Sequence, residues 1–288
     1  MKKKGNKLFY IILVVMFVLG LLITAYPFVS NFINEMTNKS HIDEYDNEVA
    51  VMDSKTKSDI LSKAKAYNDI IGTEYYLDNG KFSKEYQAVS KSYDEIMNFD
   101  NSLIGYIEIP KISVKLPIYH ETKPYALTMG AIHTKRSSFP IGGKGTHSVI
   151  SAHSAYPSQK FFDNIDELEN GDEFKIKILD ETLNYKVVEI NIVKPDDSSK
   201  LKVQQDKDLV TLCTCYPYSV NTHRLLVTGE RTAIKENIRR TDKSSNKQSE
   251  SNLEAYIIAG FIIISGFVVF YIIRRKAVYE NQKEKQNP

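Results

Sequence analysis

The sequence predicts a mainly β domain, a closed barrel or a sandwich, preceded by a helical section and flanked by an apolar span at each end. Three observations carry this. Many short runs of alternating, β-branched character fall within about 130 residues. A stretch before them places apolar residues at helical spacing. Near each end of the 288-residue chain lies an uncharged run of about the length that crosses a bilayer.

The first run, "LFYIILVVMFVLGLLITAYPFV", covers Leu8–Val29 after the basic start "MKKKGNK". A secretory signal would look similar, but its apolar region is only about 7–15 residues and ends at a small-x-small cleavage site. This run is longer and "AYPFVSNFI" offers no such site, so an uncleaved anchor is expected. The second run, Ala255–Ile273, is followed by Arg274, Arg275 and Lys276. Both positive clusters lie on the sides away from the middle of the chain. The positive-inside rule then puts both termini in the cytoplasm and residues from about 34 to 252 outside the cell. A basic segment after the second run also excludes a GPI tail. The expected division is a cytoplasmic tail (1–7), an anchor (8–29), a helical section (34–100), a β domain (101–231), a polar tether (232–254), a second span (255–273) and a basic tail (274–288).

In the helical section Ile60, Ala64, Tyr67 and Ile71 recur at one spacing, and Tyr86, Val89, Tyr93 and Ile96 repeat it. Asp53 or Ser54, and then Ser83, are the expected N-caps, and "LDNGK" is a turn between the two patterns. From "IGYIEIPKISVKLPIYH" the period changes to two. Ile112, Val114, Leu116 and Ile118 mark one strand; Phe174, Ile176 and Ile178 mark another. "LNYKVVEINIV", "LVTLCTC" and "HRLLVTG" are further strands, and Ser148–Ala152 is a short one. One interruption, "SQKFFDNIDELENG", is expected as a helix ending at Gly171. "TAIKENIRRTDKSSNKQSESN" reads as a flexible tether.

A net charge of +2 gives no footing for a nucleic-acid partner. There is no cluster with metal-ligand spacing, and nothing calls for a cofactor. The chain has two cysteines, Cys213 and Cys215. At i and i+2 of a strand they share a face, but a bridge between them would strain the backbone. Two small core residues are one reading. An external thiol without a partner is also a candidate nucleophile. Cys215 ends its strand beside "YPYSVNTH" and is the better placed of the two; Cys213 lies deeper. A thiol attacks as thiolate, and nearby cationic groups favour that form. In "THSVISAHSAYP" His153 stands at a strand end as Cys215 does, although spacing alone does not rank it above His147. Arg224 opens the next strand. A tight return after Cys215 would bring it back beside the thiol, where its charge suits an oxyanion. An ordinary surface cation is the alternative.

"TLCTCYPYSVNTHRLLVTGER" resembles the active-site signature of the sortases, the membrane-anchored cysteine transpeptidases of Gram-positive bacteria. It is most similar to the pilin-polymerising class C group, whose pattern is close to TLxTCTPYGVNTHRLLVRG. "GYIEIPKISVKLPIYH" and "PIGGKGTHSVISAH" resemble that group too, in the expected order, so the similarity runs from about Gly105 to Arg231. The resemblance implies an eight-stranded β-barrel with His153 as catalytic histidine, Cys215 as nucleophile and Arg224 as the arginine near the reacting carbonyl. His147 and His223 belong to the strings without joining the catalytic set. The implied substrate is an LPxTG-like sorting signal, cut between Thr and Gly through a thioester and passed to a pilin lysine. Anchoring to peptidoglycan is the alternative within the family, and a silent pilin scaffold the alternative outside enzymes. The implied partners are sorting signals of surface or pilin proteins and membrane lipid. Tyr216, Ser219 and Ser154 depart from the usual Thr, Gly and Arg. Many pilus sortases also carry an Asp-Pro-aromatic lid, but this chain has no proline between Asn68 and Tyr93. The lid is either missing or built differently, and Cys215 is expected to be accessible at rest.

Overall fold

A computed structural model describes residues 5–73, 93–99, 102–123 and 125–232, together with single positions at 260, 266, 271, 274 and 275. The chain divides into two compact units, Met1–Ile33 with Arg239–Pro288, and Asn34–Ile238. In the first unit the described residues are the start of helix α1, which runs Gly5–Val51 and contains Pro27, and the single positions 260, 266, 271, 274 and 275. Its most apolar window has a mean hydropathy of 2.6 and no buried side chains, so the helix is long and apolar enough to cross a membrane. The expected second span, 255–273, lies outside the described residues apart from helical positions at 260, 266 and 271.

The second unit is a barrel with helices on its outside. Eight strands close on themselves in the order β1-β2-β3-β4-β7-β8-β6-β5. They are β1 (Leu103–Ile109), β2 (Val114–His120), β3 (Ala131–His133), β4 (Thr146–Ser151), β5 (Glu173–Ile178), β6 (Glu181–Val193), β7 (Asp208–Tyr216) and β8 (His223–Arg231). Closure is made by β1 against β5, with Tyr106 opposite Lys177 and Ile107 opposite Ile176. Beside this seam a Cβ on Gly105 would lie 2.2 Å from the Lys177 carbonyl oxygen, so the two strands approach as only glycine permits. A barrel leaves no unpaired sheet edge around its girth, and alternation sends Ile107, Leu116, Ile150, Leu212 and Val227 inward.

The C-terminal part of α1 lies on the barrel wall because Ile42, Tyr45 and Val49 form one apolar stripe, each at most 4% exposed. The Tyr45 hydroxyl donates to the Ile104 carbonyl (3.1 Å) and accepts from the Leu179 amide (2.8 Å). Helix α2, Ser54–Thr73, begins where Asp53 caps it: its carboxylate accepts from the amides of Lys55 and Thr56. Ala64, Tyr67 and Ile71 are the buried face, as their spacing predicts. Asn68 exchanges both hydrogen bonds of its amide with the backbone of Phe139. The "LDNGK" turn, the expected cap at Ser83 and most of the second helical pattern lie in 74–92, outside the described residues. Its end is described, and there Tyr93–Glu95 is a single 3₁₀ turn rather than a helix.

Two expectations need correction. Ile112 does not begin a strand. It sits in a 3₁₀ turn, Pro110–Ile112, started by proline and closed by Ser113 in the left-handed region (φ 53°). "SQKFFDNIDELENG" is not a helix but an irregular segment with one 3₁₀ turn, Ile165–Glu167. Phe161, Phe162, Ile165 and Leu168 are all buried, and Asp163 accepts from the amides of Ala155 and Phe161, which fixes the chain in an irregular course.

Three histidines are locked inside the unit. The His133 Nε2–H donates to the Ser138 carbonyl at 2.8 Å, and the ring stacks on Phe139 at 4.8 Å between centroids. Burial pushes its pKa down to about 3, and burial also lowers His120 and His147. All three are bases depressed in the folded state. The unfolded chain therefore binds protons below about pH 6.5 that the native one refuses. Their contribution is complete above that pH and drains away as pH falls, for His133 over the window down to about 3. Each adds a slope of up to about 1.4 kcal/mol per pH unit. Urea midpoints of the full chain in detergent should therefore drop steadily between pH 6.5 and 5, above carboxylate titration. A flat profile there would contradict the neutral burial of these rings.

Candidate active site

The β7–β8 hairpin pairs Cys215 directly with Arg224, and Cys213 with Leu226. The return is short: Val220 and Asn221 both donate to the Pro217 carbonyl, and Ser219 and Asn221 take positive φ. On the other side of β7 lies β4, parallel, with Ser151 opposite Cys213. The pairing continues past the end of β4. The Ala152 amide donates to the Cys213 carbonyl, the Thr214 hydroxyl to the Ala152 carbonyl, and the Ser154 hydroxyl to the Cys215 carbonyl. Two residues beyond Ser151 and Cys213, the same step brings His153 beside Cys215. His153, Cys215 and Arg224 thus stand on three adjacent chain segments at one level of the wall.

Cys215 and Arg224 also share a face. Leu212, Ile150, Val227 and Leu225 belong to the core, so period-two alternation sends Cys213, Cys215, Ser151, Leu226 and Arg224 to the opposite, outer face. Both thiols are half-buried and unbridged. Burial pushes the Cys213 thiol up, against the opposing pull of a Ser151 hydrogen bond and the Arg224 charge. Cys213 is therefore a poor thiolate. A small recess opens at Cys215, lined also by Ser154, Phe162, Asp163 and Tyr218. The Arg224 guanidinium donates to the His223 carbonyl (2.9 Å) and the Asn221 carbonyl (3.4 Å), which ties it to the turn beside the thiol.

His153 and His147, which spacing does not rank, differ in their surroundings. His147 is 1% exposed. Its Nδ1 must donate to the Lys202 carbonyl (3.0 Å), so Nε2 accepts from the Thr211 hydroxyl (2.7 Å), which in turn meets Thr228 at 2.7 Å. That ring is neutral, fixed and fully used. His223 opens β8 opposite Tyr216, with Nδ1 2.9 Å from the Thr222 hydroxyl. His153 is only partly buried and stacks on Tyr156. Tyr156 and Asp163, which shape its surroundings, carry no periodic signal and were not legible in the sequence. Among the described residues no group of three or more His, Cys, Asp or Glu could hold a metal ion.

Cys215 is half-buried, is paired in register with Arg224, and has the His153 segment bonded to its strand on the other side. A thiol, an imidazole and a guanidinium are the groups that can attack a carbonyl carbon, protonate a leaving amine and neutralise an oxyanion. Comparison with known proteins points the same way. Residues 107–232 match the sortase domain family. The crystal structure of sortase C1 from Streptococcus agalactiae is 39% identical, with a TM-score of 0.61 over 68% of this chain and 99% of that one. Clostridium perfringens sortase C, solved with the C-terminal cell wall sorting motif, is 38% identical, with a TM-score of 0.57 and the same coverage. Sortase D of Bacillus subtilis is 35% identical over 115 residues, 40% of this chain and about half, 55%, of that protein.

Proposed function

This chain belongs to the sortase family, and on that premise we propose that it is a membrane-anchored cysteine transpeptidase that joins pilin subunits. The Cys215 thiolate attacks the threonine carbonyl carbon of an LPxTG-like signal, and Arg224 neutralises the oxyanion. His153, protonated, gives its proton to the departing glycine amine as the C–N bond breaks, leaving a thioester on Cys215. A lysine ε-amine then attacks the thioester. His153 takes a proton from it, the C–S bond breaks, and an isopeptide bond forms. The observation that carries the reading is the register pairing of Cys215 with Arg224, with the His153 segment bonded to the same strand on its other side. No step needs a cofactor.

Two spans, 8–29 and 255–273, would hold the domain outside the cell with both termini in the cytoplasm. The apolar helix α1 supports the first of them, and the basic clusters outside both runs support the orientation. The pilin reading rests on similarity to the class C group. Its test offers the purified full chain an LPxTG peptide with either Nα-acetyl-lysine amide or a peptidoglycan-type stem peptide. Mass spectrometry should find the lysine isopeptide product in excess. Preference for the stem peptide would make this a wall-anchoring sortase, and no product with either would overturn transpeptidation.

A further inference from the structure

A histidine that moves protons must hold its ring in one plane, and a carboxylate or carbonyl at the second nitrogen is the usual means. Among the described residues no group hydrogen-bonds the ring of His153. Aromatic rings surround it instead. Tyr156 lies parallel to the imidazole, with centroids 5.3 Å apart and planes 11° apart, and Phe161 approaches at 6.3 Å and 57°. Tyr156 is itself braced edge-on by Phe161 at 5.6 Å. Phe161 is fully buried and cannot give way.

We propose that Tyr156 is the positioning residue of the candidate acid/base, an aromatic face doing what a carboxylate does elsewhere. The chain between the two rings is built for the stack. Ala155 takes a left-handed conformation (φ 58°), which reverses the backbone and lays residue 156 over residue 153. The reversal is pinned by Asp163, whose two carboxylate oxygens accept from the Ala155 amide (2.9 Å) and the Phe161 amide (2.8 Å). The Phe162 amide closes the same loop on the His153 carbonyl at 3.0 Å. Ser154, between the rings, is anchored to the Cys215 carbonyl at 2.8 Å, so the loop is fixed to the nucleophile strand as well. With its ring clamped from one face and flanked by Phe161, His153 keeps the plane in which its nitrogen addresses the sulfur. Losing the stack frees rotation about χ2 and lowers the fraction of time spent in that plane.

This rests on the acid/base reading of His153, and the experiment separates the two. Full-length enzyme in detergent is assayed with an LPxTG peptide and Nα-acetyl-lysine amide. Tyr156→Leu should lower kcat roughly 10- to 100-fold, with KM within about twofold because no substrate contact is lost. Tyr156→Phe keeps the ring and should restore kcat to within about twofold of the parent. If the leucine variant does not fold, Tyr156→Met fills the volume without a ring and serves instead. A ringless variant with parental kcat, or a loss that Tyr156→Phe does not rescue, overturns the positioning role. His153→Ala is run alongside. Full turnover there overturns the acid/base assignment, whereas its loss beside a normal ringless variant overturns the role of Tyr156 alone.

Discussion

Cys215→Ala should abolish transpeptidation, a fall of roughly 10⁴-fold or more, while Cys213→Ala keeps most of it. The contrast is informative because the two thiols lie on one face of one strand, two residues apart. What separates them is environment. Burial pushes the Cys213 thiol up, so the protonated form prevails there. Cys215 borders the recess, pairs with Arg224 and lies beside the His153 segment. Removing the Cys213 sulfur leaves a small gap worth about 1 kcal/mol of stability and touches no reacting atom. Initial rates with an LPxTG peptide decide the matter. Equal losses in both variants would mean that the pair acts as a unit.

The second large effect is expected at Arg224. Arg224→Ala should lower kcat by about 10²- to 10³-fold, the usual cost of losing one oxyanion partner. Its charge matters most when the carbonyl oxygen becomes an anion, so kcat and kcat/KM should fall together. Arg224→Lys keeps a charge but not the planar fork, and should lie between the parent and the alanine variant. The guanidinium also donates to two carbonyls of its own turn, so part of any loss could come from a loosened loop. A loosened loop would raise KM; a lost oxyanion contact would leave it unchanged.

β5 and the first half of β6 were legible because one face lies on the core and the other does not, which imposes period two. β1, β4, β7 and β8 are buried on both faces and were legible from their β-branched, apolar runs. Three-residue β3 is too short to show a period, and it exists because β2 and β4 flank it. The expected helix at 158–171 failed for a related reason. Phe161, Phe162, Ile165 and Leu168 do recur at helical spacing and are buried, but Asp163 binds the Phe161 and Ala155 amides and holds the segment in an irregular course. At the site, the meeting of Cys215 and Arg224 could be read from a short return between strands, which is local. His153 could not be told from His147, because the parallel pairing of β4 with β7 joins residues about sixty positions apart. Only that register, and the hydrogen bonds that use up His147, separate the two rings.

The central claim is that Cys215 carries the substrate as a thioester. It is tested most directly by incubating the full-length enzyme with an LPxTG peptide, without an acceptor amine, and quenching in acid. Intact-mass and fragment spectra then locate the acyl group. The account predicts an added mass equal to the peptide up to and including its threonine, lodged on Cys215 and released by hydroxylamine. An adduct on Cys213, or cleavage of the peptide with no covalent adduct on either cysteine, would contradict it.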